Sequence, residues 1–360
     1  MKRILILTTG FGEGHNAAAR GVRAGLERIA SDSVEIETHD LLAETYPSWF
    51  KLINRTYLTI VDRFPKIWGT FYDWLERKEN YDRDLQKYAR LRDRLEGVLE
   101  RFQPDVAVSV FPPYPYIIDQ IFEQDRTCKN IAVITDSITV NEIWYRSGAD
   151  YFCVPNEQSA RIVRDAGVAP ERIKVFGFPV SPIFADITQH RPSPDGSRPR
   201  VLYMINAGTR RAPLLVSRLL DLEVELTVTV GRNEPLRRAI ESAVGNRRVE
   251  IVGWTNELPR MMCASHLLIG KAGGATVQET IAAGCPMIIN HVVSGQEEGN
   301  AVLIEKTRSG AIALSHDEVI AQTQQAFACD AKQWREWSAN ISKLSRPRAS
   351  LDIAKFLLSL

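Results

Sequence analysis

Apolar residues fall in short runs that alternate with stretches of helical spacing along the whole chain. Residues 4–7 form a brief apolar run ending in Thr8-Thr9-Gly10, after which Ala19, Val22, Leu26 and Ile29 recur at intervals of three and four. The first pattern is a buried strand and the second a helix with one apolar face. Further strand-like runs occupy 34–38, 106–110, 131–135, 151–154 and 174–176; after a break the rhythm restarts at 201–205, 226–230, 249–252, 267–269, 287–289 and 311–313. Strands separated by helical segments predict parallel sheets covered on both faces, because a parallel neighbour is reached only through a crossover.

The break is a polar stretch punctuated by prolines, Arg-Pro-Ser-Pro-Asp-Gly-Ser-Arg-Pro at residues 191–199, which cannot pack as a core element. It separates two doubly wound α/β domains, placed at residues 1–180 and 181–340, with a last segment at 341–360. A chain of 360 residues suits two such cores better than one.

Composition removes several function classes. Hydrophobic residues make up 44% and charged residues 25%, the balance of a globular enzyme and not of a disordered chain. A formal net charge of +1 leaves no basic excess for phosphates, so no nucleic-acid partner is expected. Cys128, Cys153, Cys263, Cys285 and Cys329 include no C-x-x-C pair, which argues against a zinc or dithiol site and for a reducing compartment. Met1-Lys2-Arg3 resembles the start of a signal peptide, but the apolar run behind it is too short and reads as the first strand. No uninterrupted apolar segment of about twenty residues is present, so no bilayer-spanning helix is expected.

Two glycine turns carry the candidate chemistry. The first, Gly10-Phe11-Gly12-Glu13-Gly14-His15, lies between a strand and a helix, where backbone N–H groups converge on an anion. No Gly-Lys-Ser/Thr follows, which excludes a P-loop. A dinucleotide fingerprint is a poor match because the glycines alternate, although Glu37 or Asp40 is available for a ribose. The third reading makes His15 a proton acceptor at the carboxyl edge of the sheet; against it stands a plain capping or solvated histidine.

The second turn is the more informative. Residues 267–289 read as strand, glycine turn, helix with a glycine terminator, and strand. Gly273, Gly274 and Ala275 expose backbone donors at a helix start and Thr276 adds a hydroxyl, so a diphosphate can be held without a metal. Glu279 follows about one turn later, where a carboxylate accepts both hydrogen bonds of a ribose diol; outside this context it would be a surface glutamate. Gln296, Glu297 and Asn300 place amide and carboxylate groups in a loop after the last of these strands, suited to sugar hydroxyls or to solvent.

A third segment, residues 49–75, is aromatic, with Trp49, Tyr57, Phe64, Trp68, Phe71 and Tyr72 interleaved with Lys51, Arg55, Arg63 and Lys66. Such a helix either packs on its own domain, the commoner case, or lies among lipid headgroups.

Taken together these residues resemble glycosyltransferase family 28, and within it the diacylglycerol glycosyltransferases that include monogalactosyldiacylglycerol synthases. The resemblance covers the glycine loop ending in His15, Ala132-Val133-Ile134-Thr135-Asp136, Phe176-Gly177-Phe178-Pro179-Val180, Val252-Gly253-Trp254-Thr255-Asn256-Glu257-Leu258, residues 271–279 and residues 295–301. It implies a GT-B fold of two Rossmann-like domains facing a cleft, with a C-terminal helix returning to the N-terminal domain. It implies an inverting hexosyltransferase that uses UDP-glucose or UDP-galactose as co-substrate, a lipid acceptor, and no cofactor or metal.

By the same resemblance His15 is the general base, with Asp136 its partner or rival. Main-chain groups at Trp254 and Thr255 hold the uracil, with Leu258 beneath it; Gly273 to Thr276 hold the diphosphate, Glu279 the ribose, and Gln296, Glu297 and Asn300 the hexose. Gly12 and Gly14 flank the donor. The turn after the first strand of the second domain keeps a single glycine, Gly208, with Thr209 and Arg210 beside it, where relatives are often richer in glycine. The aromatic segment becomes the contact with the acceptor and an anionic membrane surface, giving a peripheral enzyme on the cytoplasmic face. Two other classes fit the architecture: a UDP-sugar 2-epimerase, and a lipid- or nucleotide-binding protein without turnover. A polyprenyl-linked or other lipophilic acceptor is the alternative to diacylglycerol.

Overall fold

The computed structural model describes residues 1–10, 13–47, 89–122, 126–138, 140–187, 198–293 and 297–360. The aromatic segment, most of the 191–199 break, and Gly12 and Gln296 lie outside these residues. Among the described residues twelve strands form two parallel six-stranded sheets. The first contains β1 (Lys2–Thr8), β2 (Val34–Asp40), β3 (Val106–Ser109), β4 (Lys129–Val133), β5 (Tyr151–Val154) and β6 (Ile173–Val175), in the order β2-β1-β3-β4-β5-β6. The second contains β7 (Arg200–Met204), β8 (Glu225–Gly231), β9 (Glu250–Gly253), β10 (Leu267–Lys271), β11 (Met287–His291) and β12 (Gly310–Ile312), in the order β12-β11-β10-β7-β8-β9. Every strand read from the apolar pattern is present, with ends shifted by no more than two residues.

Each order contains one place where successive connections run to opposite sides. In the first sheet it lies between β1 and β3, in the second between β7 and β10. Parallel strands all end on the same edge, and at such a switch point two loops diverge and leave a crevice.

Burial explains why the strands read as apolar runs. Ile4, Leu5, Ile6 and Leu7 are all fully buried. Leu5 and Leu7 join Leu95, Phe102, Ala107 and Tyr114 in one core, so Ile4 and Ile6 must be covered from the other face. In the second sheet Val201, Tyr203, Val228 and Ile269 pack with Leu215, Ile240, Trp334 and Trp337.

The chain forms two compact units. One comprises Met1–Pro182, Val293–Gln296 and Arg348–Leu360; the other Ile183–Val292 and Glu297–Pro347. The last helix, Ala349–Ser359, packs on the first, Glu13–Ala30, within the first unit. Gly25 makes this possible, and Gly21, one turn earlier, admits the segment at Pro179 in the same way. A β-carbon on Gly25 would stand 2.3 Å from the Ser350 carbonyl oxygen, and one on Gly21 would stand 1.8 Å from that of Pro179, so any side chain there would force two backbones apart. Among the described residues no helix is long and apolar enough to cross a membrane.

Candidate functional site

His15 is the third residue of the helix Glu13–Ala30, in its first turn at the first switch point. Its ring is half-buried, meets Phe111 edge-on at 5.3 Å between centroids, and places Nδ1 2.7 Å from the Val110 carbonyl oxygen. The Thr135 hydroxyl lies 3.3 Å from the same nitrogen. Val110 follows β3 and Thr135 follows β4, so three neighbouring strand ends fix this one imidazole. A carbonyl only accepts, hence Nδ1 carries the proton and Nε2 keeps the basic lone pair. Burial lowers the pKa of His15 to about 4, against the upward pull of the Val110 carbonyl.

The loop around it is tied down by side chains. Asp40 accepts the Gly10 N–H at 2.7 Å through Oδ2 and the Ala43 N–H at 3.0 Å through Oδ1, capping the short helix Leu41–Thr45. Glu37 pairs with Arg101 and accepts from His39. Both acids that a ribose-binding reading requires therefore already have partners within the first unit. Gly14 faces open space, with nothing within 4 Å of the position a β-carbon would take. Asp136 is half-buried, and its Oδ2 accepts the Trp144 indole N–H at 2.9 Å and the Asn141 N–H at 3.4 Å. Those bonds organise the loop after β4.

The second switch point is furnished differently. The turn after β7 is made by Gly208 alone, at φ 64°, whose carbonyl accepts the Arg211 N–H at 2.9 Å and the Ala212 N–H at 3.2 Å. The single glycine retained thus occupies the left-handed position that the turn requires. Thr209 and Arg210 are exposed beside it. After β10, Gly273 caps the helix Gly274–Ala283 with no side-chain hydrogen bond, and Gly284 ends that helix in the left-handed conformation. The first backbone donors of the helix, at Gly274, Ala275 and Thr276, are half-buried at the strand edge. Glu279 is half-buried on the following turn.

The loop beyond β11 returns to this turn. Asn300 donates to the Ala272 carbonyl at 3.1 Å, and Glu297, 7% exposed, accepts from the ammonium of Lys271. Trp254, Thr255 and Leu258 follow β9, three strand steps from β10, or roughly 14 Å at the usual spacing. Trp254 is 62% exposed, and the Arg232 guanidinium lies 5.0 Å from its ring centroid.

Lys271, Gly273, Gly274, Glu297 and Asn300 are thus brought together, with the Gly208 turn on the adjacent strand end. Two residues were given no role in the sequence reading, although Lys271 opens the block 271–279. Lys271 closes a buried strand and Arg232 follows the last glycine of β8, so a charge directly after a strand end was the available signal for both. The chain also contains one Asp-x-Asp, Asp82-Arg83-Asp84, which lies outside the described residues.

Residues 15–180 match the family model of monogalactosyldiacylglycerol (MGDG) synthase, and residues 205–333 that of the glycosyltransferase family 28 C-terminal domain. A probable monogalactosyldiacylglycerol synthase 2 (chloroplastic) of Oryza sativa subsp. japonica is 27% identical over 98% of this chain and 80% of its own length. A processive diacylglycerol beta-glucosyltransferase of Staphylococcus carnosus (strain TM300) is 26% identical over 93% of this chain and 88% of its own. The crystal structure of Acinetobacter baumannii MurG is similar with a TM-score of 0.65 over 100% of both chains at 13% identity, a likeness of fold. Two Rossmann-type sheets and a last helix that packs against the first are the GT-B arrangement, and the two models between them account for most of the chain. It belongs to the glycosyltransferases of family 28, in the group that joins the MGDG synthase domain to the family's C-terminal domain.

Proposed function

We propose that this protein transfers a hexose from a UDP-sugar to the free hydroxyl of diacylglycerol, with inversion at the anomeric carbon. The observation that carries the reading is the uncapped, glycine-opened helix start at the β7/β10 switch point, with Glu279 one turn on. Backbone dipoles there offset the charge of a diphosphate, both when the donor binds and when UDP leaves. Glu279 takes the ribose diol, main-chain groups at Trp254 and Thr255 the uracil, and Gln296, Glu297 and Asn300 the hexose.

His15 removes the acceptor proton through Nε2 as the oxygen attacks, and the Val110 carbonyl keeps the ring in the tautomer this needs. A histidine lowered to about 4 is a weak base in the free protein. Asp136, held by Trp144 and Asn141, shapes the neighbouring loop instead of acting as the base. The aromatic segment holding Trp49, Tyr57, Phe64, Trp68, Phe71 and Tyr72 attaches the enzyme to the cytoplasmic leaflet and presents the lipid.

The test is incubation with diacylglycerol in anionic vesicles and UDP-glucose or UDP-galactose, followed by mass analysis and assignment of the anomeric linkage. A β-linked hexosyl diacylglycerol formed in excess EDTA supports the reading. Conversion of the sugar nucleotide without any lipid would make the protein an epimerase. Activity lost in EDTA and restored by a divalent ion would bring Asp82 and Asp84 into the site. For the membrane, vesicle flotation of the Trp68→Ala protein should recover several-fold less than the parent; equal recovery would remove the aromatic segment from that role.

A further inference from the structure

Lys271 occupies an electrostatically unfavourable place. A β-carbon on Gly273 would lie 3.5 Å from Lys271 Cε, 3.7 Å from its Nζ and 3.7 Å from Glu297 Oε1, so the ammonium and its carboxylate stand beside the N-cap of the helix Gly274–Ala283. Helix starts carry roughly half a positive charge, and a cation there is repelled. Glu297 is in turn the N-cap of the helix Glu298–Lys306. One carboxylate, 7% exposed, therefore answers the ammonium, and no side chain caps either helix start.

We propose that Lys271 is the side chain that neutralises the donor diphosphate, and that Glu297 holds it in reserve while the site is empty. The inference rests on the reading that a UDP-sugar binds at this helix start. When the diphosphate arrives, Nζ moves from Glu297 Oε1 to a phosphate oxygen, a shift of the order of one hydrogen-bond length that needs no backbone movement. Glu297 is thereby released to accept hydrogen bonds from hydroxyls of the hexose. Diphosphate capture and presentation of the sugar-reading carboxylate become one event. The arrangement favours the intact donor over the spent nucleotide.

The two partners must then affect UDP binding with opposite signs. In calorimetric titration with UDP, Lys271→Met should weaken binding by roughly 10- to 100-fold, the equivalent of a charge-assisted hydrogen bond. Lys271→Arg should restore most of it. Glu297→Gln should bind UDP at least as tightly as the parent, because the competitor for Lys271 is gone, while transfer from UDP-hexose falls. Should Lys271→Met fail to fold because Glu297 is left buried without its cation, the double variant Lys271→Met/Glu297→Gln carries no such charge and decides the matter. Weakened UDP binding in that folded double variant supports the inference. Parent-like UDP affinity in Lys271→Met or in the double variant overturns it, as does a loss of UDP affinity in Glu297→Gln. A parent protein that binds no UDP fails the functional reading itself, a result distinct from all of these.

Discussion

At the switch point of the first sheet the candidate group is a side chain, and at that of the second it is a run of backbone N–H groups with Lys271, Glu297 and Asn300 beside it. His15 is gripped by Val110, Thr135 and Phe111, and the loop before it is tied to Asp40. The Gly208 and Gly273 turns hold no such grip: one relies on a left-handed glycine, the other opens a helix with no side-chain cap. The difference follows from the two tasks. A proton acceptor must have one tautomer and one orientation, which only neighbouring groups can impose. A diphosphate needs several N–H donors at close range, which side chains would obstruct. The same strand-and-helix plan thus yields a chemical end and a binding end.

The sharpest way to break that contrast is to remove the imidazole. His15→Ala should lower turnover by roughly 10²- to 10⁴-fold while leaving UDP affinity within about twofold. Steady-state kinetics beside calorimetry would check it, and equal losses in both would turn His15 into a donor ligand. The reciprocal change is Glu279→Ala, expected to weaken UDP by about tenfold or more with a comparable loss in kcat/KM. A loss in kcat alone would move Glu279 from the binding end to the chemical one.

The pH profile sharpens the contrast further. Burial holds His15 near 4, so in the free enzyme its neutral form persists well below the ordinary value of 6.5. The acid limb of kcat/KM should fall with an apparent pKa near 4. The sign for stability is set by the same shift. Between 6.5 and about 4 the unfolded chain binds the proton that the folded one refuses, so the contribution of His15 is present above 6.5 and is lost as the pH falls. His15→Phe should flatten that part of a plot of melting temperature against pH.

The smallest effect is expected at Asp40, whose carboxylate joins the Gly10 N–H to the cap of Leu41–Thr45. Asp40→Ala should cost about 1–2 kcal/mol in denaturant unfolding and lower turnover modestly. A large loss of UDP affinity would place the first loop in donor binding.

The strands were legible because burial on both faces leaves an apolar run that no connection can imitate, as at Ile4, Leu5, Ile6 and Leu7. The Gly273–Gly274 turn was legible because it is local: glycines, helix and carboxylate follow one another within a few residues. Pairings across the sheet were not. Lys271 and Glu297 are 26 positions apart, and His15 and Val110 are 95 apart, so only the strand order brings each pair together. The interruption inside the helix His316–Leu344 was also hidden, since Cys329, Asp330 and Ala331 take φ values of 50–58° with no glycine or proline to announce it.

Amide hydrogen exchange with and without UDP tests the division of labour most directly. The first N–H groups of a helix have no intrahelical acceptor and exchange freely unless a ligand occupies them. Saturating UDP should slow exchange over residues 274–276, and by more than over residues 13–19. Protection confined to 13–19, with 274–276 exchanging as before, would contradict the assignment of the donor to the second unit.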